Sequence, residues 1–266
     1  MHALRPMHKA DLDEVVAIIH SHDDEDAAEA LDGFNRPGGL EDQFVLERAG
    51  QIVGITGFAT PPGCDQTHWL SWTYVHHELV NQGIGREIIT DLIEHLKQAG
   101  GRKLFIKISD YAEPDESGNV IHVYQAALHL YQSLGFTEEL VLKDYYDRSE
   151  TMTILGLRLN ELEPDGPQAE TEKPKLQFNS IFEIAETEDA YSFGWDAGAK
   201  RLFDANDVEL GLEDVRKRAG RAVFLSFPHN YTNVAQTLFS AGFSNAGRLE
   251  DYYEDGVHEQ HFSYYL

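Results

Sequence analysis

The chain is short of cysteine, of positive charge and of long apolar runs, and each shortage closes off a class of function. Cys64 is its single cysteine, so no disulfide can form within the chain and no thiolate metal site is expected. Lys and Arg number 21 against 46 Asp and Glu, a formal net charge of −25. Phosphate backbones and anionic lipid surfaces are gripped by Lys and Arg, so neither nucleic acid nor a membrane is an expected partner. No apolar run approaches the ~18 residues that a transmembrane helix needs. The opening residues MHALRPMHKADLDE turn polar at once, unlike a secretory leader. The expected setting is the cytoplasm.

What is present is the material of a globular protein: 266 residues, 42% hydrophobic and 11% aromatic, enough for one or two domains with cores of their own. A short strand is expected at His2 to Arg5, ended by Pro6. Asp11-Leu12-Asp13-Glu14 reads as a capping box, followed by a helix with Leu12, Val15, Val16 and Ile19 on one face. A weaker helix is expected from Glu25 to Leu31. Phe44–Leu46 and Ile52–Ile55 flank Ala49-Gly50-Gln51 as a hairpin. The run from Trp69 to Val75 carries apolar residues on both faces and reads as a strand buried on both sides.

The most informative segment follows. Val80-Asn81-Gln82-Gly83-Ile84-Gly85-Arg86 leads directly into a helix with Ile88, Ile89, Leu92, Ile93 and Leu96 at helical spacing. Gly100-Gly101 stops that helix, and Leu104 to Ile108 is a strand. A helix N-terminus carries unpaired N–H groups and partial positive charge. Glycines that let backbone approach a ligand turn such an end into an anion site. The amides of Gln82 to Arg86 can thus hold a diphosphate on an otherwise negative protein, with Arg86 adding local positive charge. No Lys-Ser/Thr follows, which excludes the nucleotide P-loop. Ile88 stands where a dinucleotide fingerprint has its third glycine.

Strand, Q-G-I-G-R loop and helix together resemble motif A of the Gcn5-related N-acetyltransferases (GNAT), with Val80 in place of that motif's usual Arg or Gln. Leu130-Tyr131-Gln132-Ser133-Leu134-Gly135-Phe136 resembles the family's motif B, without the Asn often found earlier on that helix. The L-R-P-M start and Asp144-Tyr145-Tyr146 are also similar, so the resemblance spans residues 3–157. It implies an α/β fold with a splayed, mostly antiparallel sheet flanked by helices. It also implies acetyl-CoA as co-substrate, no metal, and an amine acceptor. Backbone at Tyr74, Val75 and His76 would pair with the pantetheine arm, and Gln82, Gly83, Ile84, Gly85 and Arg86 would hold the pyrophosphate. An amide near Val75 would stabilise the oxyanion. Tyr131 would protonate the leaving thiolate, a phenol with pKa of roughly 10 keeping its proton at neutral pH.

The base is less defined. His76, His77 and Glu78 lie after the strand, His68 and Ser71 earlier, and Ser71 could relay through water. The run Asp23 to Asp26 lies in the segment that lines the acceptor side in this family, where it could hold a cationic amine. Such a run is also simply a solvated loop, and with His20 and His22 its spacing matches no metal site. The acidic excess as a whole reads either as a salt-tolerant surface or as attraction of such an amine. An acyl-CoA other than acetyl-CoA, or a module that only binds or senses acetyl-CoA, are the competing readings.

The second half repeats part of the first. An offset of 107 residues carries Gly135-Phe136 to Gly242-Phe243 and Asp144-Tyr145-Tyr146 to Asp251-Tyr252-Tyr253, and 119 carries Leu104-Phe105-Ile106 to Val223-Phe224-Leu225. Leu238 stands where the first copy has Tyr131, and no motif A glycine loop precedes Ala222. The expected organisation is a transferase domain at 1–158, a linker at 159–175 and a degenerate GNAT-like domain at 176–266. That smaller domain is expected to pack on the first, with no assigned ligand, and to stand where a dimer partner otherwise would. Oligomeric state stays open, and Thr187 to Phe203 reads as either helix or hairpin.

Overall fold

The computed structural model describes residues 4–115, 117–161, 176–197 and 204–266. Most of the expected linker, 162–175, and the end of the ambiguous segment, 198–203, lie outside them. The fold is α/β, with mixed, mostly antiparallel strands flanked by helices. The chain divides into two compact units. One comprises the residues up to Ile106 with Leu157–Glu161, the other Lys107–Gly156 with everything after Glu161.

In the first unit the strands lie in the order β1 (Leu4–Pro6), β2 (Gln43–Arg48), β3 (Gln51–Ala59), β4 (Thr67–Val75) and β5 (Lys103–Ser109, which crosses the division). Neighbours are antiparallel except β4 and β5. Helices α1 (Leu12–His20) and α2 (Asp24–Asn35) bury Val15, Ile18, Ile19, Ala27, Ala30 and Phe34 in a core with Val45 and Ile55. Successive strand residues point to opposite faces, so Gly54, next to Ile55, faces the other side. There α3 (Ile84–Gln98) comes so close that a Cβ on Gly54 would lie 2.5 Å from Ile88 Cδ1.

Two expectations need correction. The capping box does not form: Asp11 makes no side-chain cap bond at α1, because its carboxylate takes a forked pair from Arg5 at 2.8 and 3.0 Å and the His8 N–H at 2.7 Å. Glu14 accepts instead from Ile52 N–H at 2.7 Å. Two parallel bonds from a guanidinium outweigh a single bond from a backbone amide. Second, β4 is buried on both sides only at its start, since Thr67 and His68 are buried and Trp69 to Val75 only half-buried. The polar stretch after Asp110 contains a small hairpin, β6 (Ala112–Pro114) with β7 (Val120–His122).

The second unit orders its strands β9 (Met152–Arg158), β8 (Thr137–Leu142), β13 (Ser244–Glu254), β14 (Val257–Tyr265), β12 (Ala222–Pro228), β11 (Ala190–Ala197) and β10 (Leu176–Glu183). Helices α4 (Gln125–Ser133), α5 (Ala205–Lys217) and α6 (Thr232–Ser240) complete it. Within Thr187 to Phe203, residues 187–189 belong to the bend before β11, and Ala190–Ala197 is the second arm of the β10–β11 hairpin. The core of this half gathers Phe193, Val208, Leu212, Leu225, Leu238 and Phe262.

The repeated residues fall on repeated structure. The 107-residue offset carries both ends of α4 onto both ends of α6. Gly135 and Gly242 have φ of 95° and 93°, and Asp144 and Asp251 φ of 50° and 53°. Both aspartates accept the N–H five residues on, from Ser149 at 2.7 Å and Gly256 at 2.9 Å. Strand β8 pairs antiparallel with its own counterpart β13, and the register partners are Leu140 and Gly247. Those two residues are each other's equivalents under the same offset, so a local two-fold axis passes through that pair.

Candidate functional site

The site begins where β5 leaves β4. The parallel ladder between them holds only at Thr67 with Lys103, His68 with Leu104 and Trp69 with Phe105. At the same place β4 bulges on its other side: Ile55 pairs with Tyr74 but Gly57 with Ser71, and Trp72 takes φ of 25°. A bulge adds one residue and bends the strand. Beyond it, His76 N–H donates to Val53 O at 3.0 Å, so β3 takes the backbone groups of His76. Alternation then turns the N–H and C=O of Val75 away from β3, onto the edge that β5 has vacated.

Past β4 the chain makes a short 3-10 turn (His77–Leu79), where His76 Nδ1 accepts from Glu78 N–H at 3.3 Å. Gln82 reaches back to Glu78 O at 3.3 Å. Asn81 and Gly83 adopt left-handed φ of 62° and 82°, and the chain enters α3. Gly83 is the N-cap and offers no side chain to the helix. The first intrahelical bond is Glu87 N–H to Gly83 O, 3.1 Å, so the amides of Ile84 and Gly85 stand before the ladder begins. A Cβ on Gly83 would meet no atom within 4 Å. The mouth of the helix is open, with amides directed into it. The acidic Glu87 of this first turn is paired with Arg48, which limits the negative charge near the amides.

The second repeat is built differently at the corresponding helix. The N-cap of α5 is Asp204, whose carboxylate accepts from Asn206 N–H at 2.9 Å and Asp207 N–H at 3.2 Å. Here the helix amides are satisfied by the chain's own anion, which both fills the position and repels another.

The remaining expected residues divide by unit. Ser71 shares its hydroxyl with the Gln43 side chain, at 3.3 Å from Nε2. His68 is buried, with Nδ1 2.9 Å from Thr60 Oγ1 and Nε2 without a partner. Burial, and secondarily Arg102, push its pKa down, so it stays neutral. His76, His77 and Glu78 line a pocket of about 330 Å³ with Glu14 and Ser21 of the α1 region. Tyr131 lies in the other unit, in α4, its ring buried edge-on against Phe136 at 5.5 Å. Burial raises its pKa well above the usual phenol value. Among the described residues no group of three or more His, Cys, Asp or Glu is arranged for a metal. No helix among them is long and apolar enough to cross a membrane.

Sequence reasoning weighed His22 only against a metal site and Asp26 only as one of a run that could hold a cationic amine; the structure gives each a partner at the strand end. His22, between α1 and α2, donates from Nε2 to Val75 O at 2.7 Å. Asp26, in the first turn of α2, accepts from the Tyr74 hydroxyl. Sequence distances of 53 and 48 residues hide such contacts, and the only signal was the clustering of His and Asp in one polar turn.

An open strand edge thus leads through a glycine turn into a helix without a side-chain cap. Residues 40–138 match the family model described as acetyltransferase (GNAT) domain, and the chain carries a GNAT acetyltransferase domain, which makes it an acyltransferase. A GNAT-family protein from Desulfovibrio desulfuricans superposes with a TM-score of 0.50 at 22% identity, over 59% of this chain and 99% of its own. The ribosomal-protein-S18-alanine N-acetyltransferase of Escherichia coli gives 0.48 at 20%, over 63% and 100%. The yncA protein of Salmonella typhimurium, solved with its cofactor acetyl-CoA, gives 0.46 at 23%, over 62% and 98%. No curated protein matches the chain.

Proposed function

We propose that this protein is an N-acetyltransferase that moves an acetyl group from acetyl-CoA to a primary amine, in the cytoplasm, through a transferase domain at 1–158. The observation that carries the reading is the join of the open Val75 edge to the uncapped N-terminus of α3. Acetyl-CoA, when bound, supplies a thioester whose carbonyl carbon accepts the amine. Backbone from Tyr74 to His76 positions the pantetheine arm as an added strand would. The amides of Gln82, Gly83, Ile84, Gly85 and Arg86 hold the diphosphate. Val75 N–H, on the vacated edge, is placed to donate to the oxyanion. Tyr131 returns a proton to the leaving thiolate. Its burial secures that proton but makes it a weak acid, so its contribution belongs at the low end of general acid catalysis, ~10²-fold.

The acidic surface favours a cationic acceptor by steering. No second acetyl-CoA is expected at α5, where Asp204 already holds the helix amides and, independently of that cap, no motif A glycine loop precedes Ala222. Calorimetry with acetyl-CoA, followed by thiol release measured across a panel of amines, tests the proposal. One equivalent bound per chain and turnover with an amine are expected. Binding without turnover against any amine would favour a sensing module, and absence of binding would refute both.

A further inference from the structure

The amine must lose a proton to react, and none of the residues expected for that task touches the vacated edge of β4 through its side chain. His22 does. We propose that His22 is the general base and that Asp26 with Tyr74 receives the incoming alkylammonium. This rests on the acetyltransferase reading above.

The tautomer follows from the contact. A carbonyl oxygen only accepts, so the bond to Val75 O requires the proton on Nε2. The neutral ring then carries its lone pair on Nδ1. The Val75 N–H and C=O share one edge, so the ring sits beside the amide proposed for the oxyanion, within one residue of where the thioester carbonyl would lie.

The mount is firm although the ring is exposed. His22 N–H bonds to Ile19 O at 2.9 Å and Asp23 N–H to the same oxygen at 3.0 Å. Asp23 caps α2 through Glu25 N–H and Asp26 N–H at 2.8 and 2.9 Å. The chain around His22 is thus held from both helices. Its ring lies 5.6 Å from that of Tyr74, whose hydroxyl is bonded to Asp26. That carboxylate is spared the work of capping, which Asp23 does. The titratable groups on the elements meeting here are Asp13, Glu14 and His20 of α1, the last ion-paired with Asp24 at 3.4 Å, Asp23, then Glu25, Asp26, Glu29 and Asp32 of α2, His68 and Tyr74 of β4, and His76, His77 and Glu78 after it.

In the step itself, His22 Nδ1 takes a proton from the ammonium and becomes imidazolium. The freed nitrogen pair forms the C–N bond, and the C–S bond breaks with its electrons leaving on the thiolate. The amide nitrogen sheds its remaining extra proton to solvent, and the thiolate is protonated by Tyr131.

The test uses the full chain with 1,4-diaminobutane as probe amine. Nitrogen-15 spectra of the His22 ring should show Nε2 protonated, and the diamine should shift the Nδ1 resonance in wild type but not in Asp26→Asn. His22→Gln should lower kcat/KM for the diamine about 10²- to 10⁴-fold near neutral pH and remove the acid limb of the pH profile. The gap should close to under about 10-fold above the amine's own pKa of ~10.4, where no base is needed. Acetyl-CoA affinity of both variants, by calorimetry, should stay within about 2-fold of wild type. An Nδ1-protonated ring, no shift with the diamine, or a His22→Gln gap that persists unchanged at high pH would each overturn the assignment. Wild type failing to bind acetyl-CoA would instead overturn the acetyltransferase reading beneath it.

Discussion

Gly83→Ala separates the two things that residue does. The backbone there has φ of 82°, a region in which an L side chain costs ~1–2 kcal/mol. For a domain of this size each kcal/mol lowers Tm by roughly 2–4 °C, so a drop of about 2–8 °C is expected. The new methyl would meet no protein atom within 4 Å, so strain is its whole effect on the ligand-free protein. Binding is another matter, because that empty space is where a diphosphate must come to reach Ile84 N–H and Gly85 N–H. Each hydrogen bond to a charged group is worth ~1.5–3 kcal/mol. Losing both weakens acetyl-CoA by about 10²- to 10⁴-fold in Kd. Gly100→Ala is the matched control, with φ of 84° and nothing within 4 Å, at the other end of the same helix. It should lower Tm comparably and leave Kd alone. Calorimetry and thermal melts on both variants decide the matter. If Gly83→Ala melts lower yet binds acetyl-CoA within 3-fold of wild type, the helix end is not the anion site.

Tyr131→Phe should reduce kcat by about 10²-fold while the acetyl-CoA Kd stays within 2-fold; unchanged turnover in a thiol-release assay removes Tyr131 from the chemistry. His68, neutral when folded because burial lowers its pKa, takes up a proton more readily when unfolded, so stability is lost as pH falls through ~6.5 toward its depressed folded value. The Tm difference between pH 8 and pH 5 should therefore narrow in His68→Gln, and an identical difference would show that His68 is not a source of acid sensitivity. Asp204→Ala should cost ~1 kcal/mol of stability by chemical denaturation without changing acetyl-CoA stoichiometry; a second equivalent bound would mean that the cap alone had closed that helix end.

Local rules made the first unit's central helix legible. Five apolar residues from Ile88 to Leu96 share one face, glycines stand at both ends, and α3 runs from Ile84 to Gln98 between them. The repeat was legible for a similar reason: Gly135 and Gly242 need a backbone that few other residues accept, so the constraint left a mark in the text. What stayed hidden depends on partners far along the chain. Asp11 has the spacing of a cap, but Arg5 competes for it and wins through charge. The vacated edge of β4 follows from where β5 departs and from a bulge at Trp72, and no residue type announces either. His22 looked like one polar residue among several because nothing local fixes the direction of its ring.

The two repeats meet across Leu140 and Gly247, and that meeting constrains what the second could become. A Cβ on Gly247 would lie 2.7 Å from Leu140 Cδ1, and its φ is 135°. The two-fold relation is therefore chemically unequal at its own axis: one copy supplies the side chain and the other must omit it. Two identical chains could not do this, since both would carry Leu or both Gly. Fusion into one chain lets each copy be specialised, and the specialisation runs consistently in one direction. The second copy gives up side chain at the axis, has Leu238 where the first has Tyr131, and closes its helix with Asp204. The first keeps an open helix mouth and a phenol. Arg221, the counterpart of Arg102, spends its extra hydrogen bonds on the first copy's Asp144 and Tyr145 carbonyls, steadying the Asp-Tyr-Tyr turn rather than a site of its own. The second copy thus supplies β13 as a built-in partner for β8, and on the reading proposed above the chemistry stays with the copy whose helix end is open.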